Sequence, residues 1–104
     1  MRVAILSSEA VPFSKTGGLA DVAGALTKAL HAEGAASFLI TPLYDQVDRT
    51  LLSEAFIEDL EVEWRGKHPL IRVWRSETLS APTYLIDAPF YFNRGKIYGE
   101  ADDF

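Results

Sequence analysis

Two short, continuous apolar runs stand out in the first half of the chain. Residues 3–6 and residues 38–40 contain apolar side chains without polar alternation. Such runs are typical of strands that are buried on both faces of a parallel sheet. Ser7 interrupts the first run, and Pro42 ends the second because proline lacks the N–H that a sheet needs. The pattern predicts strands over 3–8 and 37–41.

The segment between these strands has the spacing of a helix. Its apolar residues recur every three or four positions, at Leu19, Val22, Leu26, Ala29 and Leu30. This period predicts an amphipathic helix over 19–33, with Gly34 as its left-handed terminator. Strand, helix and strand together predict a βαβ unit whose crossover is right-handed.

The second half of the chain predicts further strands. Leu60, Val62 and Trp64 alternate with charged residues, and a second strand-like run follows the turn at 66–69. This pattern indicates an antiparallel hairpin over 58–76. Another strand is expected at 83–86.

The hairpin also contains four basic residues. They are Arg65, Lys67, Arg72 and Arg75. They are compatible with an anion-binding patch, but a solvated sheet face with charge pairs between strands is the interpretation we favour.

Composition narrows the class of protein. The 104 residues include 15 acidic and 10 basic side chains, for a net charge of −5, and 48% of the residues are hydrophobic. This content suits one folded α/β domain and argues against nucleic-acid binding, which needs a concentrated basic face. The chain lacks cysteine, and its N-terminal apolar run is too short for a signal peptide or a membrane span. We therefore expect a cytoplasmic protein that does not bind membranes.

The loop that precedes the predicted helix carries the clearest candidate chemistry. Lys15, Gly17 and Gly18 lie where the N–H groups of a helix start and its dipole attract anions. A glycine pair at this place is also common as a tight turn into a helix, and Asp21 can simply complement the dipole. Glu9 could cap the loop. Because ligands of open α/β sheets bind at the carboxyl ends of strands, this loop is the candidate site.

Metal binding and serine-triad chemistry have no support in the sequence. His31 and His68 lack partners at the spacing of metal ligands. We expect neither a metal nor a cofactor.

Residues 7–22, SSEAVPFSKTGGLADV, resemble the N-terminal signature of bacterial glycogen synthases and plant starch synthases, which use ADP-glucose. Three later segments match the same family in the same order. They are Thr41–Tyr44, Tyr84–Pro89 and Arg94–Gly99. The sequence departs from the family pattern at Thr27, where proline is common, and at Phe38, where a polar or basic residue is common.

The resemblance implies a fold and a domain organisation. The expected fold class is α/β, a partial Rossmann-like N-terminal domain of a GT-B glycosyltransferase, with a mainly parallel sheet and an antiparallel hairpin. Residues 1–104 correspond to the N-terminal part of the catalytic, acceptor-side domain. The second, C-terminal domain and the later histidine-aspartate motif are absent from this sequence.

The resemblance also implies an activity. The parent enzyme transfers glucose from ADP-glucose to the non-reducing end of an α-1,4-glucan, with retention of configuration and without a metal. Lys15, Gly17 and Gly18 would bind the diphosphate of ADP-glucose, and Glu9 and Asp21 would act as orienting residues. The alternative is a free-standing α/β anion-binding or interaction module without catalysis. We expect the isolated chain to be inactive.

Overall fold

The computed structural model of the chain describes residues 1–63 and 65–88. Within these ranges the chain forms one five-stranded sheet, one long helix and one short 3-10 helix. The elements are β1 (Arg2–Leu6), α1 (Gly18–Ala32), β2 (Ala36–Pro42), a 3-10 helix (Arg49–Leu51), β3 (Glu54–Glu61), β4 (Leu70–Ser76) and β5 (Thr83–Asp87).

The strands lie in the order β1-β2-β5-β4-β3. β1, β2 and β5 are parallel, with Ile5 opposite Leu39 and Thr41 opposite Leu85. β4 pairs antiparallel with both β5 and β3. The sheet is therefore mixed, with a parallel half that contains the predicted βαβ unit and an antiparallel half that contains the predicted hairpin.

The hairpin begins earlier than the sequence pattern indicates. β3 covers 54–61, so it starts four residues before the predicted hairpin start at residue 58, and its pairing with β4 shifts register twice. The aromatic ring of Phe56 packs 5.1 Å from that of Tyr84 on β5, so the segment before the alternating pattern is held in the sheet. The N–H of Val62, which donates to the carbonyl of Pro69, extends the pairing beyond β3. Trp64 lies outside the described residues.

The buried face of α1 is not the apolar stripe of the sequence. Leu19, Val22 and Leu26 are 50%, 61% and 46% exposed. The buried helix residues are instead the small ones, at Ala20, Ala23, Gly24 and Thr27. Small side chains allow the loop before α1 and strand β2 to approach the helix backbone closely.

Thr27 shows how this close contact is made. Its side chain is fully buried, and its hydroxyl donates to the carbonyl of Ala23 at 2.8 Å. The carbonyl of Thr27 in turn accepts a hydrogen bond from the Ser37 hydroxyl on β2 at 3.0 Å. Thr27, at the position where proline is common in the family, therefore helps to pack the helix against the sheet.

The end of α1 confirms the role predicted for Gly34. Gly34 has a φ of +94°, and its N–H donates to the carbonyl of His31. The N–H of Ala35 donates to the carbonyl of Leu30. These two bonds form a Schellman motif, in which glycine adopts the left-handed conformation without a Cβ clash.

One buried polar atom in the sheet has no partner among the described residues. Thr41 on β2 is 1% exposed, and its Oγ1 forms no hydrogen bond there. A buried hydroxyl without a partner costs about 1–3 kcal/mol of desolvation free energy. Thr41→Val keeps the β-branched shape, so we expect it to raise the free energy of unfolding by about 1 kcal/mol.

Urea denaturation of the chain measures this change. Thr27→Val is the matched control, because the Thr27 hydroxyl has a partner and its loss should destabilise the fold. A Thr41→Val variant that is less stable than the wild type would show that this hydroxyl is satisfied.

The aromatic segment Phe90–Gly99, which the sequence suggests as a binding loop, lies outside the described residues. In the ranges that are described, α1 is too short and too polar to cross a membrane.

Candidate functional site

The loop between β1 and α1 is fastened to its surroundings at several points. The Tyr44 hydroxyl, from the segment after β2, donates to the carbonyl of Ser8 at 2.6 Å. Ala10 and Phe13 are buried in the main hydrophobic cluster. The N–H of Val11 donates to the carbonyl of Ala20 in the first turn of α1 at 3.1 Å. The loop is thus held against both the carboxyl edge of the parallel strands and the start of the helix.

Glu9 is buried within this loop, with only 2% of its surface exposed. Its Oε2 accepts hydrogen bonds from the N–H of Thr16 at 2.8 Å and from the Thr16 hydroxyl at 2.5 Å. The Thr16 side chain, together with backbone N–H groups of Thr16, Ala20 and Gly17, lowers the pKa of Glu9, although burial opposes the shift. Glu9 therefore carries its negative charge at the start of α1.

The lowered pKa of Glu9 predicts how stability depends on pH. Because the pKa is lower in the folded chain than its ordinary value of 4.5, ionised Glu9 stabilises the fold. This contribution is fully present above about pH 4.5 and is lost as the pH falls through the lower folded pKa. We expect the stability difference between wild type and Glu9→Gln to be constant near neutrality and to shrink in acid.

Denaturation of both proteins between pH 7 and pH 3 checks this expectation. Asp48, whose pKa is also lowered, is common to both proteins, so its contribution cancels. A difference that stayed the same across the whole range would contradict the role of the ionised carboxylate.

Lys15 and Asp21 form an ion pair beside this loop. The Lys15 Nζ donates to both Asp21 carboxylate oxygens, at 3.0 and 2.8 Å. Both side chains are about half exposed, at 54% and 55%. Asp21 thus fixes the direction of the lysine side chain at the surface, where an exposed pair contributes little to stability.

Gly17 and Gly18 lie at the start of α1 without being required by the fold. Gly17 has an extended backbone, with φ −165° and ψ −161°, which any residue adopts. A Cβ added at Gly17 or at Gly18 would meet no other described atom within 4 Å. The tight-turn interpretation of this glycine pair therefore loses its support, and the space above both glycines is open to a ligand.

Gly24 is a residue that the sequence analysis missed. A Cβ at this position would lie 2.6 Å from the carbonyl oxygen of Val11. The loop therefore crosses α1 at a distance that only glycine permits. A glycine within a helical pattern was the available signal, because it weakens a helix unless close packing requires it. Thr16 and Tyr44, which hold the loop by hydrogen bonds, were also missed.

A hollow of about 340 Å³ lies at the carboxyl edge of the parallel strands. Its lining is mostly apolar and comprises Leu6, Ser7, Ser8, Ile40, Thr41, Pro42 and Ile86. None of the predicted site residues contributes to this lining. The candidate site is therefore the open surface around Lys15 and the glycine pair, beside the hollow.

Two basic residues of the hairpin lie opposite acidic residues in the strand register. Arg75 lies opposite Glu54 in the β3–β4 register, and Arg72 lies opposite Asp87. The Arg75 Nε also donates to a carboxylate oxygen of Glu77 at 2.5 Å. This arrangement favours the solvated sheet face over the anion patch.

Metal-ligating side chains do not gather in the part of the chain that the structure describes, where no three histidine or acidic residues form a possible site. His68 instead lies beside Glu61 in the hairpin, with 3.5 Å between Nδ1 and Oε1.

Comparison with known proteins connects this loop to a family. The family described as the starch synthase catalytic domain matches residues 2–104, which is nearly the whole chain. Glycogen synthase from Streptococcus agalactiae is 39% identical over 99% of the chain, and that of Clostridium perfringens is also 39% identical. The chain spans 22% of the length of each of these relatives.

A solved structure agrees in fold as well as in sequence. The catalytic domain of starch synthase IV from Arabidopsis thaliana, bound to ADP and acarbose, superposes with a TM-score of 0.82 and 31% identity. The superposition covers 97% of this chain and 21% of that protein. The chain belongs to the starch synthase and glycogen synthase family, and it corresponds to about a fifth of the length of the members it matches.

Proposed function

We propose that this chain is the N-terminal part of the acceptor-side domain of an ADP-glucose-dependent glycogen synthase. The parent enzyme transfers glucose from ADP-glucose to the 4-hydroxyl at the non-reducing end of an α-1,4-glucan. The bond between the glucose C1 and the diphosphate oxygen breaks, a bond from C1 to the acceptor oxygen forms with retention, and the acceptor proton is released. ADP is the other product. The names of the relatives and the ADP in the starch synthase structure support this assignment.

The chemical difficulty of this reaction is the charge on the leaving group. Negative charge grows on the diphosphate while the sugar becomes oxocarbenium-like. Fixed positive groups at the diphosphate lower that barrier, because they need no reorganisation during the reaction. We assign this task to Lys15, Gly17 and Gly18.

One observation carries the proposal: a lysine lies beside two glycines at a helix start, and the fold itself needs neither glycine. Without Cβ atoms, the backbone at Gly17 and Gly18 can be approached closely by a phosphate group. The dipole of α1 favours a negative group at the same end. Fold stability does not explain this combination, whereas anion binding does.

Asp21 and Glu9 take orienting roles in the proposed site. Asp21 holds the Lys15 ammonium group through two hydrogen bonds, so the lysine charge lies near the start of α1 rather than in free solution. Glu9 holds the loop from its buried side through Thr16.

The proposed site is half of a complete one. In the longer members of the family, a second domain would close over ADP-glucose and supply the remaining contacts to the nucleotide. The reaction would take place in the cytoplasm, with ADP-glucose and the glucan as partners and no metal.

The runner-up function is a free-standing anion-binding or interaction module. The same open glycine pair and lysine would serve it, and no second domain would be needed. The two functions differ in whether these residues take part in glucosyl transfer.

The discriminating experiment compares the chain alone with a chimera. In the chimera, residues 1–104 replace the matching segment of the Streptococcus agalactiae glycogen synthase. With labelled ADP-glucose and glycogen, we expect no incorporation by the isolated chain, because half a site cannot orient both substrates, and clear incorporation by the chimera. Transfer by the isolated chain, or a folded chimera that binds ADP but transfers no glucose, would count against the proposal.

A further inference from the structure

The start of α1 already holds an anion that belongs to the chain. The Glu9 carboxylate accepts hydrogen bonds from the N–H of Thr16 at 2.8 Å and from the Thr16 hydroxyl at 2.5 Å. Thr16 lies directly before the N-cap of α1, at the end of the helix whose N–H groups normally lack intrahelical partners. α1 has no capping side chain at Gly17 itself. Glu9 therefore holds the residue before the helix start from the far side of the loop.

Glu9 is held firmly enough to act as an anchor. The Ser7 hydroxyl donates to the carbonyl of Glu9 at 2.7 Å, and Tyr44 binds the carbonyl of the neighbouring Ser8. On the other side, Ala10 is fully buried in the hydrophobic cluster. The backbone on both sides of Glu9 is thus fixed, and a group that binds its carboxylate is fixed as well.

Thr16 is the residue that connects this anchor to the proposed diphosphate site. It lies between Lys15 and Gly17, and it contacts Glu9 through two bonds, at 2.8 and 2.5 Å. We infer that Thr16 is a positioning residue, whose two bonds to buried Glu9 set the backbone that presents Lys15 and Gly18 to the diphosphate. This inference rests on the proposed function.

The loop separates Glu9 from the proposed diphosphate site. The diphosphate would be contacted by Lys15 and by the open backbone at Gly17 and Gly18. The negatively charged diphosphate would be kept apart from the Glu9 carboxylate, because Glu9 lies on the buried side of the loop and Lys15 is exposed.

The chain contains a matched control for this pair. Asp48 accepts hydrogen bonds from the N–H of Thr50 at 2.9 Å and from the Thr50 hydroxyl at 2.7 Å. The chemistry is the same as that of Glu9 and Thr16, but it caps the exposed 3-10 helix after β2. Thr50→Val therefore removes an equivalent hydroxyl contact at a place without a proposed ligand.

The inhibition constant of ADP in the chimera is the decisive measurement, because it does not depend on the fraction of enzyme that is folded. We expect Thr16→Val to raise this constant about tenfold, which corresponds to about 1.4 kcal/mol. Thr16→Ser keeps the hydroxyl and should stay within about twofold of the wild type, as should Thr50→Val. An unchanged constant in Thr16→Val, or a rise of equal size in Thr50→Val, would overturn the inference.

Amide hydrogen exchange in the 104-residue chain is a second test of Thr16 that does not require catalysis. We expect Thr16→Val to accelerate exchange at Val11 and Ala20, whose N–H groups bind the carbonyls of Ala20 and Gly17 at the start of α1, while Leu39, whose N–H binds the carbonyl of Pro82, stays protected. Unchanged exchange at Val11 and Ala20 would refute the role of Thr16 even if the chimera were inactive. If Lys15→Ala weakens ADP binding and Thr16→Val does not, the inference fails while the proposed function stands. If neither variant has an effect, the proposed diphosphate site fails as well.

Discussion

Replacing Lys15 by alanine is expected to lower kcat/KM for ADP-glucose about a hundredfold or more in the chimera with the Streptococcus agalactiae enzyme. Removal of one preorganised group that stabilises transition-state charge typically costs about 2.7–4 kcal/mol, because the group acts in a site from which water is excluded. In the structure the Lys15 Nζ already lies at the start of α1, where Asp21 holds it with bonds of 3.0 and 2.8 Å. The lysine charge is thus in place before the substrate arrives.

The variant should hardly affect folding. Lys15 is about half exposed, and exposed ion pairs contribute about 0–1 kcal/mol. Steady-state kinetics together with a urea denaturation curve separate the two effects. Lys15→Arg should recover only part of the activity, because the guanidinium group is planar and bulkier than an ammonium group.

Lys28→Ala is the matched control for charge. Lys28 is exposed on α1 and lies outside the proposed site, so its loss should leave kcat/KM within about twofold. Wild-type kinetics for Lys15→Ala would mean that the loop is structural only, and the assignment of Lys15, Gly17 and Gly18 would have to be abandoned.

The sequence predicted the elements of the parallel half of the sheet well, because their signals are local. The apolar runs that end at Ser7 and at Pro42 are each recognisable from a few adjacent residues. The helix end at Gly34 is recognisable in the same way. The observed bounds of β1, α1 and β2 differ from the predictions by only one or two residues at most ends. The hairpin was shifted because its first strand is held by contacts across the sheet, such as that between Phe56 and Tyr84, which local alternation does not report.

For a related reason, hydrophobic periodicity did not predict which face of α1 is buried. Leu19, Val22 and Leu26 form the more hydrophobic stripe, yet the helix buries its small residues. Close approach between the loop, the helix and β2 decides which face is buried, and that approach depends on Gly24 and Thr27 rather than on apolar area.

The candidate site was partly predictable. Lys15 and the glycine pair are recognisable by their place before a helix, and the resemblance to a known family points to the same residues. The role of Thr16 was not predictable, because its partner Glu9 is seven positions away and meets it only when the loop folds back on itself. The same holds for Tyr44, whose partner Ser8 is 36 positions away.

Gly24→Ala is expected to lower the free energy of unfolding of the chain by up to about 2 kcal/mol. Alanine in a helix interior normally gains about 1 kcal/mol over glycine. Here its Cβ would lie 2.6 Å from the carbonyl oxygen of Val11, and the obstacle is backbone that cannot rotate away as a side chain can. Overpacking of this kind costs about 1–3 kcal/mol, since helix or loop must shift. We expect the cost to exceed the gain, because the loop is also tied to the helix by the bond from Val11 N–H to the carbonyl of Ala20.

The matched control is Gly18→Ala, in the same helix. A Cβ at Gly18 meets no described atom within 4 Å, so this substitution should leave stability unchanged or raise it by up to about 1 kcal/mol. Denaturation curves of the two variants therefore should shift in opposite directions, or at least by clearly different amounts. If Gly24→Ala were as stable as Gly18→Ala, the loop would yield to the new methyl group without cost, and the close crossing at Val11 would not be what holds the Lys15 loop against α1.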